Sequence, residues 1–226
     1  MTARVGVVIP AAGAGRRMGA GPKALIELAG QPVLRRALAP FLADSRIVRI
    51  IVALSPDVFA RPPGWLAALS PRVRLVEGGA ERADSVCAGV AALDADVDVV
   101  LVHDAARPLV TPAVIGRAIA AAAAGECVVA AVPARDTVQE VDAAGRIVGT
   151  PDRRRLWLAQ TPQAFPRAIL ADACERAVRE GFLATDDAAL VAHYGVVVHV
   201  VEGDPRNIKI TVPADLVIAA ALLAAE

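Results

Sequence analysis

The feature that most constrains this chain is a repeated alternation of short, continuous apolar runs with amphipathic stretches of helical period. The apolar runs are Val5–Ile9, Ile47–Ala53, Val73–Val76, Val97–Val102, Cys127–Val132 and Val196–Val201. Each is too short for a buried helix and lacks the polar alternation of a half-solvated strand, so each reads as a strand covered on both faces. Between them lie helical candidates at Pro32–Leu42, Asp57–Leu69, Arg82–Leu93, Pro112–Ala124, Pro166–Glu180, Asp186–Ala192 and Pro213–Ala225. Pro112 with Gly125, and Pro166 with Gly181, mark a first turn and an end. Strand alternating with helix demands a mostly parallel sheet with helices on both faces, because a parallel connection must cross over. The expectation is an α/β fold: a Rossmann-like, doubly wound, mostly parallel sheet in a single domain, 1–226.

One segment breaks the rhythm. Thr137–Val141, the turn Asp142–Gly145 and Arg146–Thr150 read as two short strands around a tight turn. A lone hairpin is marginal in water, so it must lie on the parent sheet or on another subunit. A projecting β-hairpin arm, 137–153, that packs on a second copy of the chain is the expectation.

Composition removes several classes of function. At 56% apolar residues the chain is no disordered segment. Its longest stretch free of acidic and basic residues, Ala188–Val201, is interrupted by His193, Gly195 and His199 and is too short to span a bilayer. The N-terminus enters an apolar strand without the layout of a signal peptide. Cys87, Cys127 and Cys174 make no metal or redox spacing and read as small buried hydrophobes in a reducing, cytoplasmic compartment. Net charge is zero, with one Tyr and two Trp for stacking, so neither nucleic acid nor membrane is expected as a partner. Within that balance, Lys23 and Lys209 are the only lysines among 24 basic residues. An ammonium is a compact point charge and a guanidinium a planar fork. Two lysines in an arginine-saturated chain are therefore candidates for tasks that a fork cannot perform.

Both sit where strands end. The first run leads into Pro10-Ala-Ala-Gly-Ala-Gly-Arg-Arg-Met-Gly-Ala-Gly-Pro-Lys23. Small residues let backbone N–H groups approach phosphate oxygens closely. The loop is not a Walker A loop, since Lys23 follows Pro22, and Met18 breaks the dinucleotide GxGxxG fingerprint. With Arg16, Arg17 and Lys23 it suits a triphosphate. The fourth run ends in His103-Asp-Ala-Ala-Arg-Pro108. In a doubly wound sheet the ends of the first and fourth strands face one ligand crevice, which brings Asp104 to the glycine loop. There its carboxylate most simply holds Mg²⁺ or another hard divalent ion, and Arg107 offers a bidentate phosphate clamp. His103 reads as a satisfied core histidine. Gly78-Gly-Ala-Glu-Arg-Ala-Asp-Ser85 opens a helix, with Ser85 free to cap it or to meet a base edge. Lys209, in Glu202-Gly-Asp-Pro-Arg-Asn-Ile-Lys209, follows the last strand, so both lysines are expected at one phosphate site.

These pieces together resemble a known family. Pro10-Ala-Ala-Gly-x-Gly-x-Arg17 with Pro22-Lys23, Gly78-Gly-x-x-Arg-x-Asp-Ser85, Val102-His-Asp-Ala-Ala-Arg-Pro108, Gln160-Thr-Pro-Gln163, Thr185-Asp186 and Asn207-Ile-Lys-Ile-Thr211 resemble, in order and over nearly the whole chain, the 2-C-methyl-D-erythritol 4-phosphate cytidylyltransferases of non-mevalonate isoprenoid synthesis. The resemblance implies a nucleotidyltransferase converting CTP and methylerythritol phosphate to the CDP-alcohol and pyrophosphate. It implies transition-state roles for Arg17 and Lys23, and Mg²⁺ at Asp104. It assigns the acceptor phosphate to Arg153 and Lys209, helped by Asp104, Arg107, Thr137, Thr161 and Thr185. It assigns cytidine to Ala11, Ala12, Gly13 and Gly15 and to Gly79, Arg82 and Ser85. It also implies a homodimer in which the arm lends Thr137 and Arg153 to the partner's site. Two positions depart from the pattern. Ala80 stands where some relatives carry a polar side chain, and Arg153-Arg154-Arg155 leaves open which arginine meets the acceptor. A fused cyclodiphosphate synthase domain is not expected after Glu226. Alternatives are a cytidylyltransferase for another alditol phosphate, such as ribitol 5-phosphate, or a silent nucleotide-binding domain.

Overall fold

In the computed structural model, residues 3–13 and 23–225 are described. Gly15, Arg16 and Arg17 lie outside them, and so does the Lys23 side chain. The elements in chain order are β1 (Val5–Ala11), β2 (Glu27–Leu28), β3 (Gln31–Pro32), α1 (Val33–Ala43), β4 (Ile47–Leu54), α2 (Pro56–Ala60), α3 (Gly64–Ala67), β5 (Val73–Glu77), α4 (Arg82–Ala91), β6 (Val99–Val102), α5 (Pro112–Ala123), β7 (Cys127–Pro133), β8 (Glu140–Val141), β9 (Ile147–Gly149), β10 (Trp157–Pro166), α6 (Arg167–Glu180), α7 (Asp187–His193), β11 (Val198–Glu202) and α8 (Pro213–Ala224).

Seven strands form one sheet in the order β11-β7-β10-β6-β1-β4-β5. All neighbours run parallel except β10, which is antiparallel to both β6 and β7. The continuous apolar runs are explained by burial on two sides. Val5, Val7 and Ile9 of β1 meet Leu34 and Leu38 of α1 and Val114 and Ile115 of α5 on one face. Val8 meets Val86 and Val90 of α4 and Leu170 of α6 on the other. The chain winds outward from β1 through β4 to β5, then returns to β6 on the opposite side of β1. The winding reverses there, and the carboxyl ends of β1 and β6 open a crevice. Among the described residues no helix is long and apolar enough to cross a membrane.

The structure differs from the sequence expectation in three respects. The helix expected over 57–69 is broken into α2 and α3, because Pro62 and Pro63 lack N–H donors and Pro62 biases Arg61 away from helical dihedrals. Several strands begin or end one or two residues away from the expected limits, as β6 and β11 do. The strand β10 has no counterpart in the sequence reading. Its segment carries Gln160, Thr161, Pro162 and Gln163, and its register shifts between Ala159 and Gln163, so neither alternation nor β-propensity marks it.

The hairpin forms as β8 paired with β9, separate from the main sheet. Asp142 closes its turn by accepting N–H bonds from Ala144 and Arg146, and Gly145 takes the left-handed φ of 78°. Val141, Ile147 and Val148 on this arm are exposed, as are Trp157 and Leu158 where β10 begins.

Gly89 shows how tightly α4 lies on the sheet. A Cβ there would collide with Val8 Cγ1 and stand 3.2 Å from Val8 Cγ2. Helix propensity favours Gly89→Ala by about 1 kcal/mol, but overpacking a rigid core costs about 1–3 kcal/mol. A lowered urea midpoint with unchanged slope is the expected outcome.

Candidate active site

The crevice holds a cavity of ≈ 470 Å³ built from four loop segments. The end of β1 contributes Pro10 to Gly13, and Ala24 adds to the same wall. The β5–α4 loop contributes Gly79 to Arg82 and Ser85, the turn after β6 contributes Asp104 to Ala106, and the segment after β11 contributes Lys209. Close approach of the first two segments depends on Gly78. A Cβ there would come within 2.8 Å of Ala12 Cβ and of Ser85 Oγ. Ser85 braces the loop from beneath. It accepts from the Gly79 N–H at 3.1 Å and donates to the Glu81 carbonyl at 3.2 Å. Its hydroxyl is therefore committed to the loop while it lines the cavity.

Charge is concentrated on Asp104, a buried carboxylate. Arg82 Nε donates to its Oδ1 at 3.0 Å, and Lys209 Nζ lies 2.8 Å from its Oδ2. Arg107 Nε is 3.8 Å from Oδ2. The other edge of Arg82 grips Asp187 with two parallel bonds of 3.0 and 2.8 Å. Burial opposes ionisation of Asp104, but the fields of Arg82 and Lys209 outweigh it and hold the carboxyl well below the usual range. Burial likewise opposes the charge of Arg82, and the fields of Asp187 and Asp104 overcome it. At Asp187 burial outweighs the field of Arg82 and raises the carboxyl above its ordinary value.

A second layer orients these groups. The Asp104 N–H donates to Thr161 Oγ1 at 3.0 Å. The Thr161 hydroxyl lies 3.0 Å from His103 Nδ1, and His103 Nε2 lies 3.0 Å from the Arg107 carbonyl. A carbonyl can only accept, so Nε2 carries the proton and Nδ1 accepts from Thr161. Burial drops His103 to about 4, which keeps that tautomer neutral. Lys209 is held by its neighbours. Asn207, wholly buried, donates to the Thr161 carbonyl at 2.8 Å, and the Ile210 N–H donates to the Ala106 carbonyl at 2.9 Å.

Ala11, Ala12, Gly13, Gly79, Arg82, Ser85, Asp104 and Lys209 thus border one cavity. Ala24, next to Lys23, borders it too. Other expected residues do not line that cavity. Arg107 donates to the carbonyls of Asn207 at 2.7 Å and Ala159 at 3.2 Å, and so ties the segment after β11 to β10. Thr161 is buried behind Asp104. Thr185 is exposed before α7, and Thr137 and Arg153 are exposed on and beside the arm. Of the arginine triplet, Arg153 donates to the Arg135 carbonyl and Arg154 is paired with Asp152. Sequence reading missed Asp187. It follows Asp186, which caps α7 through the Ala189 N–H, and a second acid just inside that cap was the available signal.

A profile of the 2-C-methyl-D-erythritol 4-phosphate cytidylyltransferases, IspD, matches residues 5–225. The chain belongs to this family. The enzyme of that name from Symbiobacterium thermophilum is 46% identical over 224 residues, spanning 98% of this chain and 94% of that protein. The crystal structure of the Thermus thermophilus enzyme superposes with a TM-score of 0.82 at 37% identity, covering 96% of this chain and 98% of that one. That of 4-diphosphocytidyl-2C-methyl-D-erythritol synthase from Anaerococcus prevotii reaches 0.87 at 30% identity, covering 99% and 100%.

The neutral His103 makes stability depend on pH. Its folded pKa is below the unfolded 6.5, so the unfolded chain takes up a proton first as pH falls. This group's contribution is complete above pH 6.5 and is lost toward the folded value. At about 1.4 kcal/mol per unit, it removes about 3 kcal/mol between those limits. Urea titrations at several pH values should show that slope reduced by this amount in His103→Gln.

Proposed function

We propose that this protein transfers the cytidylyl group of CTP to 2-C-methyl-D-erythritol 4-phosphate, giving 4-diphosphocytidyl-2-C-methyl-D-erythritol and pyrophosphate. Family membership along residues 5–225, joined to the Lys209–Asp104–Arg82 cluster at the cavity, carries the reading. The acceptor phosphate is already an anion at neutral pH, so its attack on the α-phosphorus of CTP needs no general base. The barrier lies in bringing two anions together, and positioning with charge neutralisation supplies the rate. The backbone of Ala11–Gly15 and Gly79–Ser85 cradles the nucleotide. Lys209 holds the acceptor phosphate, and Arg17 and Lys23 meet the charge that develops on the triphosphate. Arg107 and Thr161 act by keeping Lys209 and Asp104 in place.

Asp104 fits a hard divalent ion such as Mg²⁺. No group of three or more metal-ligating side chains occurs among the described residues, which suits an ion that takes most of its shell from phosphate oxygens and water. Each Asp104 oxygen keeps acceptor capacity beside its one close cation. Bound there, the ion adds positive charge to the triphosphate.

The arm, 137–153, is read as a dimerisation element whose Thr137 and Arg153 serve the partner's site. Its exposed Val141, Ile147 and Val148, with Trp157 and Leu158, give it an apolar surface for a second copy. This reading makes the domain a homodimeric enzyme, and its free cysteines suit the reducing cytoplasm.

Pyrophosphate release from CTP and methylerythritol phosphate tests the assignment, and ribitol 5-phosphate should turn over far more slowly. Absence of pyrophosphate release with methylerythritol phosphate overturns it. Lys23→Ala should lower kcat by ~10²-fold or more, as loss of a transition-state charge contact does. Arm exchange predicts complementation. Arg153→Ala and Lys209→Ala, each inactive alone, should recover about a quarter of parental activity when mixed and reassociated, since half the dimers then carry one intact site.

A further inference from the structure

Cys87 and Cys174 take no part in the active-site cavity. Cys87 lies on α4 and Cys174 on α6, helices that pack side by side under one face of the sheet through Val86, Val90, Leu170 and Ala173. Both thiols border a second cavity, ≈ 670 Å³, between these helices, rimmed by Asp84, Arg167 and Glu175. The two thiols are close enough to shift each other's ionisation in opposite directions. A reading as inert hydrophobes suits Cys127, buried at the start of β7. It does not account for two thiols that line one cavity at a helix seam, one of them half-buried.

We propose that Cys87 and Cys174 are an oxidisable dithiol that peroxide reaches through the α4–α6 cavity and that closes reversibly to an intramolecular disulfide. Cys87 is the attacking sulfur. It is the more accessible of the two, and the hydrogen bond from Cys174 lowers its pKa against burial and the carboxylates of Asp187 and Asp84. The same hydrogen bond, and then burial, raise Cys174, which stays protonated and resolves. The Cys87 thiolate attacks one oxygen of hydrogen peroxide. The O–O bond breaks, a sulfenic acid forms, and the departing hydroxide takes a proton to become water. The Cys174 sulfur then displaces that hydroxyl from Cys87 while giving up its own proton, so a second water leaves and the S–S bond forms. The thiols lose two electrons and the peroxide gains them. A small dithiol reverses the step. Cys87 lies five residues beyond Arg82, about 7 Å along the helix axis, so the crosslink braces the helix that carries Arg82 and Ser85.

The test uses the full folded protein, free of added thiol, treated with one equivalent of hydrogen peroxide, alkylated and mapped by mass spectrometry. The expected result is loss of two hydrogens, a peptide crosslink joining Cys87 to Cys174, and its disappearance with dithiothreitol. Cys127→Ser should keep the crosslink. Cys174→Ser should lose it and retain one oxygen on Cys87 that dimedone captures. The proposal is overturned if the parental protein oxidises Cys127 or a methionine before any Cys87–Cys174 crosslink forms. A crosslink joining two separate chains overturns it equally, and neither readout requires any variant to fold.

Discussion

One guanidinium shared between two buried carboxylates organises this molecule. Arg82 stands at the first turn of α4, Asp104 just beyond β6 and Asp187 at the first turn of α7. These elements are joined at the crevice through Arg82. A buried ion pair adds little net stability over an apolar packing of similar shape, because desolvation offsets the attraction. Removing one member, by contrast, strands a buried charge and costs about 3–5 kcal/mol. The arrangement therefore acts as a geometric constraint more than as a source of stability. Asp104 borders the cavity with its carboxylate ionised and its rotamer held, because its cations come from both flanks of the crevice.

Around that constraint the polar groups are arranged in layers. Lys209 reaches Asp104 from a segment that Asn207 and Arg107 bind to β10, and Thr161 of β10 binds the Asp104 backbone. The antiparallel strand β10 is thus the support of the Lys209 side of the cavity. Its glutamines and threonine, unfavourable in an ordinary buried strand, are paired here. Gln160 donates to the Asp204 carbonyl and Gln163 accepts from the Ala188 N–H. Their bonds connect the centre of the sheet to the segment after β11, which borders the cavity, and to the start of α7, whose Asp187 grips Arg82, so a change in β10 would reach the cavity through position and not through contact.

Legibility in the sequence followed the range of the interactions. The parallel strands, their helices and the hairpin were readable because hydrophobic period and turn chemistry act over a few residues. The gathering of the glycine-rich segments, Asp104 and Lys209 at one crevice was approachable because a doubly wound sheet brings strand ends together. The position of β10 was not readable, since its pairing with two distant strands outweighs its own poor propensity. Arg107 shows the same limit. Residue type suggested a phosphate clamp and gave no sign of the two backbone carbonyls that its terminal N–H groups meet.

By itself the sequence determined the α/β class, the two-sided burial of the strands, the apolar hairpin and the residue types that gather at the strand ends. Local periodicity and backbone chemistry suffice for these. Tertiary structure alone decided that Arg82 would grip Asp187, 105 positions away, that β10 would enter between β6 and β7, and that Cys87 and Cys174 would share a cavity. Such pairings depend on which side chains the folded sheet and its helices bring within a few ångströms, and distance along the chain carries no record of that.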